Sequence, residues 1–107
     1  MRYGLKLPEW RAGVPYEFER EMGYSEEEFL KVAGSLSPGA GQFGPRTVVV
    51  RDGESSLEIE VLDAWQREMG RMRIPACRVR FRMTGMDQGE ISAWLERIER
   101  RFQRGGG

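Results

Sequence analysis

Arg78, Arg80 and Arg82 alternate with Cys77, Val79, Phe81 and Met83. On a β-strand that alternation sends the guanidiniums to one face and the apolar side chains to the other. A row of guanidiniums on a sheet can follow nucleic-acid phosphates, and Arg71 and Arg73 lie just upstream to add charge. The preceding alternating segment, however, carries Glu58 and Glu60 on the same side. With the register open by two residues, most pairings set a carboxylate opposite a guanidinium. Such cross-strand pairs contribute only about 0.2–1 kcal/mol each, but they cancel the field that would draw a polyanion. Single-strand binders also stack bases on exposed aromatics, and Phe81 points to the other face. An RNA- or DNA-binding surface on Arg71, Arg73, Arg78, Arg80 and Arg82 therefore ranks second, behind a solvated ion-pair ladder.

The other chemistry-bearing groups are few. The chain has no histidine and one cysteine, so Ser-His-Asp and Cys-His arrangements cannot form within it. One thiolate cannot close a zinc site or hold an iron–sulfur cluster. Cys77 shares its side with Val79 and Phe81 and is expected to pack as a small apolar residue. Glu26, Glu27 and Glu28 are consecutive; on a helix they fan around the axis, which suits the positive helix end better than a metal. Gly39-Ala-Gly-Gln-Phe-Gly44 spells G-x-G-x-x-G. A phosphate loop needs that run after a strand and before a helix; here it follows a helical pattern and precedes a strand, so it reads as a connector. No catalytic, metal or cofactor residue is expected, and a carboxylate-based enzyme is the third reading.

Spare apolar side chains point elsewhere. Trp65, Met69 and Met72 concentrate in one stretch, with Met83 and Met86 further on. Methionines beside an aromatic can make an adaptable contact surface. Trp10, between Pro8 and Gly13, is another candidate anchor.

These residues must be positioned by a chain of 107 residues and 12.3 kDa, one domain's length. Seventeen basic residues, of which 15 are Arg, balance seventeen acidic ones. Arginine suits ion-pair networks and phosphate contacts alike, and its excess over lysine can equally reflect genome composition. At 39% apolar and zero net charge, the chain is too apolar and too neutral for general disorder, and no apolar run approaches a membrane span.

Tyr3, Leu5 and Leu7 alternate with polar residues, as do Val14, Tyr16 and Phe18, so the two segments can close as an extra N-terminal β-hairpin. Pro15 must then sit at an edge or a strand start. Ser25 and Glu28 mark a helix start, Phe29, Leu30, Ala33 and Leu36 its apolar stripe, and Pro38-Gly39 its end. Arg46–Arg51 and Leu57–Leu62 form a hairpin around Asp52-Gly53-Glu54-Ser55. If Arg51 faces Ser56, Val50 pairs with Leu57 and Val48 with Ile59. Residues 66–75 read as a connection with one helical turn, closed by Pro75, and Ala76–Thr84 as the next strand. Asp87 and Glu90 start a second helix with Ile91, Trp94, Leu95, Ile98 and Phe102 at helical spacing.

The expectation is an α+β fold, a two-layer sandwich in which two amphipathic helices cover a three-stranded antiparallel meander. Residues 1–104 would form a single domain, with Gly105-Gly106-Gly107 a flexible tail. The Met1–Pro8 stretch has no apolar core of a secretory signal, and a lone cysteine suits a reducing compartment, so a cytoplasmic location is expected. The leading functional reading is a small non-enzymatic protein–protein interaction domain, able to self-associate. Its expected contact residues are Trp10, Trp65, Met69 and Met72.

Overall fold

The computed structural model describes residues 7–102. Its elements run β1 (Tyr16–Met22), α1 (Glu26–Ala33), β2 (Ala40–Gln42), β3 (Thr47–Asp52), β4 (Ser55–Met69), β5 (Met72–Thr84) and α2 (Gln88–Arg101). The strands make one five-stranded sheet in the order β1-β5-β4-β3-β2, with every neighbouring pair antiparallel. The class is α+β. Tyr3, Leu5 and the glycine tail lie outside the described residues.

Two-residue turns set the registers of the β3–β4 and β4–β5 hairpins. Gly53 and Gly70 each open their turn at φ 62°, a left-handed conformation that glycine adopts without steric cost. The first turn places Arg51 opposite Ser56, Val50 opposite Leu57 and Val48 opposite Ile59, the register expected from the sequence. The second corrects the reading of residues 66–75 as a partly helical connection. They are strand on both sides of Gly70-Arg71, paired from Gln66 with Pro75 to Met69 with Met72. Pro75 is tolerated because β1 ends opposite Cys77, so β5 has only β4 beside it there and need not offer an N–H on its other side.

The remaining differences concern the edges. β1 begins directly after Pro15, while Val14 precedes it and is exposed. β1 docks on β5, its Tyr16 opposite Met83 and its Met22 opposite Cys77. The glycine-rich connector contains β2, a three-residue edge strand on β3.

Both helices start on side-chain caps. The Ser25 hydroxyl accepts the Glu28 N–H at 3.1 Å. Asp87 accepts the Glu90 N–H at 2.8 Å while Glu90 accepts the Asp87 N–H at 3.2 Å, a reciprocal capping box. Their apolar stripes meet the same face of the sheet. Phe29 of α1 and Phe102, which caps α2, stack at 4.9 Å between ring centroids. Phe81 of β5 meets both edge-on and stacks on Phe18 of β1 at 5.1 Å. Offset and edge-on aromatic pairs add about 0.5–1.5 kcal/mol each beyond the area they bury. This aromatic cluster, with Val48, Leu57, Ile59 and Val79, is the centre of the core. Among the described residues no helix covers the opposite face of the sheet.

Candidate interaction surface

Every second residue of β1, β5 and β4 points to that opposite, outer face, and the registers assemble them into rows. Glu17, Arg82 and Glu58 form one row, Glu19, Arg80 and Glu60 the next, and Glu21, Arg78 and Asp63 the third. Each guanidinium therefore stands between two carboxylates. Arg80 pairs with Glu60, Arg82 with Glu17 at 3.8 Å, and Arg78 diagonally with Glu19 at 3.9 Å. Their side chains are a third to a half exposed, so each pair stabilises the fold only slightly. Their electrostatic effect is larger than their energetic one: the first two rows each carry one surplus negative charge, the third is balanced by Arg67 on Glu21, and the carboxylates offset the field the arginine stripe would present to a phosphate backbone.

Glu58 and Glu60 were legible as partners of these arginines. The contribution of β1 was not, because Glu17, Glu19 and Glu21 join the ladder only when β1 docks beside β5.

Among the described residues, β4 and β5 continue beyond these rows without a further strand beside them. β3 pairs with β4 only as far as Glu60 and β1 with β5 only as far as Cys77. Trp65–Met69 and Met72–Ala76 thus form a two-stranded arm. Five residues at about 3.3 Å each give it roughly 17 Å of reach, within a molecule measuring 47 × 28 × 22 Å.

Which side chains the arm shows outward is set by a β-bulge. Val61 pairs with Val79 and Asp63 with Arg78, leaving Leu62 as an extra residue between them. A bulge breaks the two-residue alternation. Trp65, Arg67 and Met69 consequently share the outer side with Ala76, Ile74 and Met72, their respective partners, although Ala76 is covered there and buried. Met69 and Met72 are 61% and 65% exposed, and Trp65 and Ile74 are half-buried. Glu68 and Arg73 face each other on the helix side, 3.9 Å apart. Arg67 reaches back to pair with Glu21, and Arg71 lies exposed in the turn.

Of the residues singled out by sequence, the arm brings together Trp65, Met69 and Met72, and adds Ile74. Trp10 is elsewhere. Its indole N–H donates to the Met86 carbonyl at 3.2 Å, and it lines a cleft of about 370 Å³ with Pro8, Tyr16, Ile91 and Leu95. Tyr16 pairs with Met83, at the far end of β5 from the arm. Arg71 and Arg73 sit at the arm's tip, away from Arg78, Arg80 and Arg82 in the ladder.

Several of the remaining reactive groups are internal or already engaged. Cys77 is fully buried. Burial, with a smaller contribution from Glu26 and an opposing one from Arg46, pushes its thiol up to about 11. Glu26 itself holds Arg46 at two points, Nε to Oε2 at 3.2 Å and Nη2 to Oε1 at 2.9 Å. Arg97 lies over the Trp94 ring, Arg100 pairs with Glu96, and Arg101 donates to the Ser35 carbonyl. Among the described residues no group of three His, Cys, Asp or Glu is arranged to hold a metal ion, and no helix is long and apolar enough to cross a membrane.

Comparison of the chain with protein-family models, with curated proteins and with solved structures finds no match.

Proposed function

We propose that this chain is a non-enzymatic protein-interaction domain that engages its partner through the outer face of the β4–β5 arm. In this reading the helices and sheet form a two-layer sandwich that acts as a rigid base for the arm. The observation that carries it is the grouping of Met69, Met72, Ile74 and Trp65 on one side of an arm that extends past its neighbouring strands. A single exposed methionine needs no explanation. Four large apolar side chains on one face of a two-stranded ribbon, with Arg67 among them and Gln66, Glu68, Arg73 and Pro75 opposite, match the flexible, polarisable surfaces that proteins use for contact. The nucleic-acid reading is disfavoured by the carboxylates flanking Arg78, Arg80 and Arg82.

A photoreactive phenylalanine analogue placed at Met72 tests the proposal in cells that make the protein. Irradiation is expected to give discrete protein adducts that a probe at Ser92, exposed on α2, does not give. Absence of any Met72-specific adduct would overturn the reading.

A further inference from the structure

We infer that the cleft between α2 and the connector that follows α1 binds a dianionic phosphate group, carried on a phosphomonoester or present as the free ion. The site is separate from the arm, and it stands or falls independently of what the arm engages.

Arg97, Arg100 and Arg101 occupy positions i, i+3 and i+4 of α2, a spacing that brings side chains to one flank of a helix. Among the described residues they line, with Leu36, a cleft of about 300 Å³. Two of the three guanidiniums are held in place by groups that leave their charge uncancelled. Arg97 lies over the Trp94 ring, 4.7 Å from its centroid, a contact that supplies no hydrogen-bond acceptor for its N–H groups. Arg101 donates through Nη2 to the Ser35 carbonyl at 2.8 Å, which ties α2 to the connector after α1. Arg100 makes one contact, Nη2 to Glu96 Oε1 at 2.8 Å, between side chains 75% and 72% exposed. A single pair that exposed is worth little and is readily exchanged for a better acceptor.

The balance of charge selects the ligand. Glu96 is the one carboxylate paired with these arginines among the described residues. Glu99 is turned about 200° around the helix from both Arg97 and Arg101. Three guanidiniums against one carboxylate leave two positive charges, which match a phosphate monoester near pH 7. Each guanidinium presents its donors as a planar fork, the geometry that engages phosphate oxygens in pairs. A carboxylate or a phosphodiester carries a single charge and would leave one cation uncompensated. Leu36, 6% exposed, gives the cleft an apolar wall against which the carbon side of an ester can rest.

Compensation of the helix dipole accounts for only part of this cluster. Cations in the last turn complement the negative helix end, and Arg100 and Arg101 are the basic residues of that turn. Arg97 precedes it, yet it is fixed on the flank that faces the cleft.

Titration of the full chain with phenyl phosphate and with inorganic phosphate tests the inference, at constant ionic strength and about pH 7.5, where the second proton is largely lost. The readout is the NMR signals of the arginine Nε–H groups and the Leu36 methyls. Saturable shifts are expected at Arg97, Arg100 and Arg101, with a dissociation constant on the order of 1 mM. R97Q should weaken binding about tenfold, as expected for loss of a charged hydrogen-bond donor, while R71Q at the arm's tip should leave it unchanged. R101Q also removes the tie to Ser35, so R97Q carries the test, with circular dichroism to check its fold. Tighter binding of phenyl phosphate would support an ester as the ligand, and equal binding would support the free ion. Dimethyl phosphate, a diester, should bind far more weakly than either. Absence of saturable shifts at the three arginines would overturn the inference, as would indifference to R97Q or equal binding of the diester.

Discussion

Trp65 faces Ala76 across the arm, and both stand on the outer side of the sheet, although Trp65 lies four residues beyond the inward-pointing Val61. In an unbroken strand an even spacing keeps side chains on one face. Leu62 is the residue that changes this, since Val61 and Asp63 pair with adjacent residues of β5. Deleting Leu62 should therefore leave every other pairing and every facing in place, and cost less than about 1.5 kcal/mol by the usual range of mutational effects. Deleting Glu58, a regularly paired residue, should invert all that follows and abolish folding. Urea titration followed by circular dichroism distinguishes the two. Equal damage from both deletions would contradict the bulge assignment.

Arg80 separates Glu19 from Glu60 in the middle row of the ladder. Arg80→Ala leaves those carboxylates facing each other across the gap. Stability is expected to fall by roughly 1 kcal/mol at low salt and to recover in part at high salt, where exposed charges are screened. Denaturation at two ionic strengths measures both effects. The unsubstituted chain should give no shift of a mixed RNA and DNA pool at low salt, because counterion release requires guanidiniums free to neutralise phosphates.

The Cys77 thiol is held neutral by burial, its value raised from an ordinary 9.0 to about 11. A raised value in the folded state means that the protonated form is favoured there. The associated stability is complete below about pH 9 and is lost as the pH climbs through about 11. At saturation a shift of that size corresponds to roughly 3 kcal/mol. Cys77→Ala, by contrast, should unfold with a flatter pH dependence over that range. Thiol reagents at pH 8 should label Cys77 only after denaturant is added, and prompt labelling of the native protein would show that the site is open.

Gly85 adopts φ 72°, and a β-carbon there would run into the backbone carbonyl of Glu54. Gly41, on the edge strand β2, has open space around it. Gly85→Ala should cost about 2 kcal/mol or more, combining backbone strain with displacement of the Gly53-Glu54 turn. Gly41→Ala should be close to neutral. Thermal unfolding of the pair checks the contrast, and a neutral Gly85→Ala would mean that the turn can move away freely.

Much of the local structure was legible in the sequence because each signal is local. The alternation of Val14, Tyr16 and Phe18 with other residues marks a strand whichever neighbour it has, although Val14 lies just outside β1. Gly53 in a two-residue turn fixes the Val50–Leu57 register through backbone conformation alone. Asp87 and Glu90 cap α2 through groups three residues apart. The candidate surface was legible only in part: Trp65, Met69 and Met72 were visible as surplus apolar residues, but Ile74 read as part of a connection, and Trp10 as a loop anchor.

The sequence by itself determined the amphipathic strands and helices, the Gly53 hairpin and the absence of histidine chemistry, since these depend on residue type and spacing within a few positions. Tertiary structure alone decided that β1 docks on β5, which brings three more glutamates to the arginine stripe. It also decided that Leu62 bulges and that β4 and β5 outrun their neighbours. The physical reason is that strand partnership and bulge position are settled by closing contacts between distant segments around one aromatic core. Alternation along a single strand is the same before and after that closure, so it records which side chains belong together but not which neighbour, or which face of an arm, they will meet.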